Sequence, residues 1–187
     1  MPPKVRITKE SIISTAVNLV RREGVGAINA RAIATELKCS TQPVFFNFAT
    51  MEALRYAVVD AADALYREYT RKEMESEKYP TYKATGMAYI RFAREEKELF
   101  KLLFMRDRSA EAVPIDSKQG AEISAIVHHS TGFCGQKAEL FHLEMWAYVH
   151  GIATMMATNY LELDTGLVSE MLTDAYQGMR KRYEGKA

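Results

Sequence analysis

Residues 29–54 read NARAIATELKCSTQPVFFNFATMEAL, and this stretch contains two short helical patterns separated by a very short turn. Asn29 is a favourable N-cap for the first pattern, whose apolar residues recur at helical spacing. Ser40 or Thr41 can cap the second pattern, and Pro43 falls in its first turn, where a missing N–H is tolerated. Two helices joined so tightly must cross steeply, which predicts a helix-turn-helix.

An amphipathic helix precedes these two short helices. Thr8 is a good N-cap, and Gly24 is a stop signal that follows the basic pair Arg21 and Arg22. The apolar side chains between these signals form one broad face. The pattern therefore predicts a helix over about residues 8–23, and the three helices together would form a small head.

The rest of the chain predicts six further helices. The first runs from Met51 to about Met74 and is long enough to connect the head to a helical body. Residues 107–116, DRSAEAVPID, form the only plausible long loop. The other five helices are expected near residues 80–96, 97–106, 117–131, 136–162 and 165–184. The sequence therefore predicts an all-α protein with about nine helices.

Composition excludes several classes of protein. A chain of 187 residues, 48% of them apolar, can bury a real core. Its longest stretch without charged residues, from Met145 to Leu161, is too short and too polar to span a bilayer, and the N-terminus lacks the apolar segment of a signal peptide. Cys39 and Cys134 are far apart, which argues against a disulfide framework or a structural zinc site. We expect a cytoplasmic protein that contacts no membrane.

Basic residues are concentrated in the first quarter of the chain. Residues 1–50 contain seven lysines and arginines against three glutamates, whereas the remainder contains eighteen against twenty-one acidic residues. A basic excess of this kind is expected where a domain contacts nucleic-acid phosphates. A solvated helix face explains so small an excess about as well, so charge alone does not decide between the two.

Residues 29–54 resemble the head of the tetracycline repressor (TetR) family. The usual family pattern has a Thr-rich start, an R-x-I-A-x-x-x-G-V-S core and an L-Y-x-H-F-x-S/T-K-E-x-L ending. The residues that match it in register are Arg31, Ile33, Ala34, Leu37, Ser40, Phe48, Thr50, Glu52 and Leu54. The resemblance implies a DNA-binding helix-turn-helix domain at residues 1–50 and a dimerisation and ligand-binding domain at residues 51–187.

Two later segments resemble the body of a TetR subgroup that carries a Trp-x-x-x-His-Gly motif. They are AYIRFAREEKELFKLLF at residues 88–104 and LEMWAYVHGIATMM at residues 143–156. The motif residues here are Trp146, His150 and Gly151. Together with the head, the similar segments are spread over most of the chain.

The head departs from the family pattern at four positions. Phe45 stands where a tyrosine usually holds a DNA phosphate, Asn47 replaces the usual histidine, and Met51 replaces the usual lysine. Phe45 and Met51 cannot donate a hydrogen bond to a phosphate. Lys38 occupies the position of the usual turn glycine, so the turn needs either a left-handed lysine or a different geometry.

The resemblance implies that the helix after the turn is a recognition helix that enters the major groove. Amide side chains on this helix can pair with adenine, and the basic residues can contact phosphates. The candidate DNA contacts are Arg31, Lys38, Ser40, Thr41, Gln42, Pro43, Phe46 and Asn47. The alternative is an ordinary polar surface with a packed aromatic ring. We expect Phe45, Phe48 or both to pack in the core of the head.

Aromatic side chains in the predicted body are candidates for an effector site, because ligand pockets are mostly apolar with a few polar groups. The candidate ligand-binding residues are Tyr89, Phe92, Phe104, Trp146 and His150. The alternative is that these residues are plain core at helical spacing. A single histidine between apolar neighbours is more often a hydrogen-bonded interior residue than a metal ligand or a base.

The last two predicted helices are the candidate dimer interface. Small residues on the eighth helix, Ala147, Gly151, Ala153, Ala157 and Thr158, allow a neighbouring helix to approach closely. The ninth helix places Leu167, Val168, Met171, Leu172, Ala175, Tyr176 and Met179 along one side. Paired with their symmetry mates, these helices would form a four-helix bundle. The alternative is that the ninth helix packs back on its own subunit.

Catalytic and metal-binding motifs are absent from the sequence. No Gly-rich phosphate loop, G-x-S-x-G or H-E-x-x-H occurs, and His128, His129, Cys134 and His142 have no recognisable ligand spacing. We therefore expect no enzyme, cofactor or metal. The sequence predicts a ligand-responsive DNA-binding repressor, a homodimer that binds a palindromic operator and a largely apolar small-molecule effector. The alternative is a helical small-molecule-binding or interaction protein with weakened DNA binding.

Overall fold

The computed structural model describes residues 7–107 and 118–185, without the side chains of residues 118–120. Its helices are α1 (Lys9–Glu23), α2 (Ala30–Glu36), α3 (Gln42–Asn47), α4 (Met51–Glu75), α5 (Thr81–Glu95), α6 (Lys97–Phe104), α7 (Lys118–Thr131), α8 (Gly135–Ala157) and α9 (Thr165–Glu184), with a 3₁₀ turn at Val25–Ala27. This part of the chain contains no strand, and the prediction of an all-α protein is confirmed. Apart from Asp107, the predicted long loop lies outside the described residues.

Side-chain caps determine where the helices of the head begin. The Thr8 Oγ1 accepts from the Ser11 backbone N–H at 3.1 Å, and the Ser11 Oγ accepts from the Thr8 N–H at 3.0 Å, which forms a capping box. The Asn29 Oδ1 accepts from the Ala32 N–H at 2.8 Å. The side-chain cap predicted for α3 is wrong, because Thr41 has a nearly helical backbone and its hydroxyl makes no cap bond.

Tertiary contacts divide the chain into two units. The first unit extends to Arg67 and also includes Glu96–Arg106, so that it contains α1, α2, α3, most of α4 and α6. The second unit contains the end of α4, α5, α7, α8 and α9. The functional boundary at residue 50 stays a prediction.

The first unit is organised around α1, which packs against α2, α3 and α6. Its core consists of fully or almost fully buried apolar side chains: Ile12, Ala16, Leu19, Val20, Ile33, Val44, Phe48, Leu54, Val58, Leu99 and Phe100. An ion pair at the edge of this core joins α1 to the start of α6. The Arg21 guanidinium donates to both carboxylate oxygens of Glu96, at 2.8 and 2.7 Å.

The second unit is built on α5 and α8, which share its most extensive helix interface, and α7 and α9 each pack against both. An aromatic cluster lies between α5, α7, α8 and α9. Its buried members are Tyr82, Val127, Phe133, Ala138, Phe141, Met145 and Tyr183. Among the described helices, none combines the length and the apolar character needed to cross a bilayer.

Candidate nucleic-acid interface and ligand site

The turn between α2 and α3 depends on a left-handed lysine. Lys38 has φ 51°, which is the first of the two geometries that the sequence left open. Its N–H donates to the Thr35 carbonyl at 3.1 Å, and the Cys39 N–H donates to the Ala34 carbonyl at 2.9 Å. These bonds close the C-terminus of α2 and allow α3 to start a few residues later.

Replacing Lys38 by glycine should stabilise the head. A left-handed backbone costs a lysine about 1–2 kcal/mol, and the extra entropy that glycine loses on folding offsets part of the gain. We expect Lys38→Gly to raise the free energy of unfolding by about 0.5–1 kcal/mol, measured by urea denaturation. The control Lys72→Gly, inside α4, should lower it by about 1 kcal/mol. A loss of stability for Lys38→Gly would contradict the turn geometry.

Two sides of α3 have opposite roles. Val44 is fully buried and Phe48, just after the helix, is almost so, and these two side chains fix α3 to the core. Phe46 and Phe45 point away from that core, with exposed fractions of 90% and 52%. The expectation that one or both of Phe45 and Phe48 pack inside is confirmed for Phe48.

Most of the other candidate DNA contacts lie on the surface of the head. Arg31, Lys38, Ser40 and Gln42 are exposed, whereas Thr41, Pro43 and Asn47 are half-buried. The Asn47 Nδ2 donates to the Pro43 carbonyl oxygen at 2.8 Å, so this amide is already hydrogen-bonded to the backbone of α3. Gln42 is thus the more accessible of the two amide side chains.

Acidic residues flank the segment that contains α3 but do not occur within it. No aspartate or glutamate occurs in residues 37–51. Glu36, just before this stretch, pairs with Arg22 at 2.6 Å, and the hydrogen bond from Arg22 lowers the pKa of the carboxyl group. The Lys9 ammonium lies 5.3 Å from the centre of the Phe48 ring, close to the end of α3. Lys38 is therefore the only charged side chain within residues 37–51, and the exposed Glu52 follows them.

Three of the five candidate ligand residues are in direct contact. The Tyr89 hydroxyl lies 2.8 Å from His150 Nδ1, across the interface of α5 and α8. The Trp146 indole stacks on the His150 ring, with centroids 4.9 Å apart and an interplanar angle of 17°. Tyr89 is buried, His150 is half-buried and Trp146 is 42% exposed. The cluster thus presents an aromatic surface backed by a hydrogen-bonded pair.

The other two candidates are placed differently. Phe92 is fully buried and packs edge-on against Tyr69, with centroids 5.3 Å apart, so it has the environment of a core residue. Phe104 belongs to the first unit, where its ring contacts Tyr66 and Phe100. The structure does not unite the five residues in one unit.

A second tyrosine–histidine pair, which the sequence reasoning missed, joins the same two helices. The Tyr82 hydroxyl lies 3.0 Å from His142 Nδ1. The spacing of these residues in the sequence could have indicated this second pair. Tyr82 precedes Tyr89 by seven residues and His142 precedes His150 by eight, which is about two helical turns in each case. Burial raises the pKa of Tyr82 and lowers the pKa of His142 and of His150.

These histidines should make stability depend on pH. The folded protein holds both imidazoles neutral below the usual pKa of 6.5, so the unfolded chain binds protons first as the pH falls. We expect the free energy of unfolding to decrease below about pH 6.5, and to decrease less in His142→Gln. Urea denaturation at pH 8 and pH 5.5 measures the difference, with the exposed His129→Gln as control. An equal decrease of the free energy of unfolding in the wild type and in His142→Gln would contradict a contribution of His142 to this pH dependence.

The outward side of α8 carries an apolar surface, which we call the α8 outer face: Leu140, Leu143, Ala147 and Gly151. Leu140 and Leu143 are exposed, and a methyl group added at Gly151 would meet no atom within 4 Å. The spacing of these residues places them on one side of the helix. A second helix could therefore approach closely here.

Most of the predicted interface on α9 packs inside its own unit. Val168 and Leu172 are buried, and Ala175, Tyr176 and Met179 pack against the aromatic cluster. Leu167 is exposed. Val168 and Leu172 therefore belong to the core of this unit, where α9 packs on α5 and α8, and not to a dimer seam. For the half-buried residues of this side, Met171 among them, the dimer seam stays a prediction.

One protein family and several individual proteins are similar to this chain. Residues 82–176 match the family described as "Tetracyclin repressor-like, C-terminal domain". An uncharacterized HTH-type transcriptional regulator of Mycobacterium tuberculosis, Rv0681, is 23% identical over 183 residues, which cover 95% of this chain and 84% of that protein. A TetR-like transcriptional regulator from Rhodococcus sp. RHA1 aligns over all of both chains, with a TM-score of 0.68 and 14% identity. The multidrug binding protein EbrR, solved with imidazole, has a TM-score of 0.59 and 17% identity over 89% of this chain and 88% of its own.

The two short helices α2 and α3, the helical body and the match to the tetracycline repressor-like family together place this protein in the class of DNA-binding transcriptional regulators. The family match covers just over half of the chain. The protein therefore belongs to the tetracycline repressor-like (TetR) family of transcriptional regulators. Membership of the Trp-x-x-x-His-Gly subgroup stays a prediction.

Proposed function

We propose that this protein is a ligand-responsive repressor that binds a roughly palindromic DNA operator as a homodimer. The observation that carries the proposal is the exposed side of α3, where Gln42 and Phe46 belong to a segment, residues 37–51, that contains no acidic residue. Arg31 and Lys38 are exposed on the same head and are available to phosphates. In a dimer, two such helices about 34–36 Å apart enter successive major grooves.

Selection from random duplexes tests this function. The full chain is incubated with a randomised DNA library, bound duplexes are recovered, and their affinity is measured by fluorescence polarisation. We expect an inverted repeat to be selected. Arg31→Glu should weaken binding by at least about tenfold, since it replaces a charge-assisted bond by repulsion. Lys181→Glu, an exposed position on α9, is the matched control and should bind normally. Recovery of no preferred sequence would contradict the proposal.

The α8 outer face supports a dimer in which α8 of one protomer packs on α8 of its partner. Leucine side chains at Leu140 and Leu143 would be buried, while Ala147 and Gly151 would allow the helix backbones to approach. A two-fold axis makes such an interface self-complementary. Leu167 at the start of α9 is also exposed. In a four-helix bundle made of α8 and α9 from two protomers, α9 would contribute this apolar side chain to the interface.

The effector is proposed to be a largely apolar, aromatic molecule that binds at the Tyr89–His150–Trp146 cluster. A flat ring can stack on the exposed side of Trp146, and the hydrogen-bonded pair of Tyr89 and His150 gives the cluster its polar atoms. EbrR was solved with imidazole, itself a small aromatic ring. The effector would lower the affinity for DNA only by its own preference for the conformation that binds DNA poorly. An effector that bound both conformations equally well would release no DNA.

The single tryptophan offers a direct measurement of effector binding. Trp146 is the only tryptophan of the chain, so its fluorescence reports on this cluster alone. A panel of neutral, cationic and anionic aromatic compounds is titrated, and DNA release is followed in parallel by polarisation. We expect neutral or cationic rings to change the fluorescence and His150→Ala to weaken their effect without weakening DNA binding. A response to anionic compounds alone would contradict the proposed chemistry.

A second candidate function, a helical small-molecule-binding protein with weak DNA binding, is favoured by Phe45. This ring is 52% exposed but lacks the hydroxyl that a tyrosine would offer to a phosphate. We expect Phe45→Tyr to tighten operator binding by about 0.5–1.5 kcal/mol for each new hydrogen bond, measured by polarisation. Phe45→Leu is the control without a hydroxyl and should bring no gain. An unchanged affinity for Phe45→Tyr would show that this position does not reach a phosphate.

A further inference from the structure

Phe46 is the most exposed large apolar side chain among the residues that the structure describes, with 90% of its surface open to solvent. The helix is held in place without it, because Val44 and Phe48 make the contacts with the core. A solvated ring adds nothing to folding, whereas its burial against a partner removes a large apolar area from water. Phe46 is therefore placed for recognition rather than for packing.

The surroundings of Phe46 favour a polyanion as the partner. Residues 37–51 contain no acidic side chain, and Glu36, just before them, pairs with Arg22 at 2.6 Å. Lys38 is exposed at the turn that leads into α3. An exposed apolar ring in a segment that carries a lysine and no carboxylate suits the major groove, where phosphates flank the base edges.

Neighbouring side chains narrow down what Phe46 can read. Gln42 is exposed one turn earlier on the same side of α3, where its amide can pair with adenine. Asn47 is less available, since its Nδ2 donates to the Pro43 carbonyl oxygen. Phe46 has no polar atom, and the base feature in the major groove that complements an apolar ring is the 5-methyl group of thymine.

We infer that Phe46 makes the operator specific for thymine by packing against this 5-methyl group, an inference that rests on the DNA binding proposed above. Gln42 and Phe46 are about 6 Å apart along the helix axis, and successive bases are about 3.4 Å apart. The two side chains therefore read base pairs within about two steps of each other. Each half-site contains an adenine beneath Gln42 and a thymine close to it.

Replacing thymine by deoxyuridine removes the methyl group and leaves the hydrogen-bonding edge of the base unchanged. The best selected duplex is synthesised with each thymine replaced in turn, symmetrically in both half-sites, and affinity for the full chain is measured by polarisation. At one position the wild type should lose about tenfold or more, which corresponds to roughly threefold to fivefold for each methyl group. In Phe46→Ala the same replacement should change the affinity by less than about twofold.

Two further measurements separate this inference from the proposed function. Gln42→Ala, on the same side of α3, is the matched control and should keep the full uridine penalty. Thermal unfolding of Phe46→Ala should match the wild type, because the ring is exposed. A wild type that binds its duplex tightly but ignores every uridine, or a Phe46→Ala variant that keeps the penalty, would overturn the inference and leave the function standing. Failure to select any duplex would overturn both.

Discussion

Raising the salt concentration from about 50 to 200 mM should weaken operator binding roughly a thousandfold. Each protomer offers Lys9, Arg31 and Lys38 on the head surface, so a dimer would contact about six phosphates. Each contact releases a counterion, and six contacts give a slope of about −5 in a plot of log affinity against log salt. Polarisation titrations at four or five salt concentrations measure this slope.

Variants with one charge removed test which residues carry the salt dependence. Lys38→Gln should reduce the slope by about two, one contact in each protomer, whereas Lys181→Gln on α9 should leave it unchanged. An affinity that is independent of salt would contradict phosphate contact by the head. A steep slope that Lys38→Gln does not alter would place the phosphate contacts on other residues.

Leu143→Glu should convert the dimer into a monomer. Leu143 is 56% exposed in the single chain, so a glutamate there leaves the protomer core intact. In the proposed dimer the change places two like charges in the buried contact between the two α8 helices. Sedimentation velocity at about 10 μM should show the mass fall by half, and operator affinity should fall by about a hundredfold or more, because the two heads are no longer linked.

Controls distinguish loss of the interface from loss of the fold. Gln136→Glu adds a negative charge near the start of the same helix and should remain dimeric. Circular dichroism should show equal helix content and equal melting for Leu143→Glu at low concentration. Ala175→Glu does not serve this purpose, because Ala175 packs against the aromatic cluster of its own unit. A dimeric Leu143→Glu would place the interface elsewhere, and a monomeric wild type would remove the dimer.

Local signals made the helix boundaries of the head predictable from the sequence. Thr8 and Asn29 cap α1 and α2 with their own side chains, and such caps depend only on residues within three positions. The backbone conformation of Lys38, by contrast, could not be predicted from its neighbours in the sequence. The sequence left two turn geometries open, and the left-handed one is found because it lets α2 close its last carbonyls.

Contacts between distant residues could not be predicted in the same way. Periodicity showed that one side of α9 must be buried, but not that Ala175 and Met179 would find that burial inside their own unit. The pair of Tyr82 and His142 was missed for the same reason, since it depends on the register between α5 and α8. The grouping of α6 with the head helices likewise comes from tertiary packing on α1.

In the function proposed above, α3 reads DNA as one half of a two-fold dimer. Hydroxyl-radical footprinting of the selected operator, combined with native mass spectrometry of the complex, tests it most directly. We expect two protomers on each duplex and two protected half-sites whose centres are about 10–10.5 base pairs apart. Arg31→Glu should abolish the protection at the same protein concentration. Uniform protection without half-sites, or one protomer on each duplex, would contradict DNA binding by a two-fold dimer.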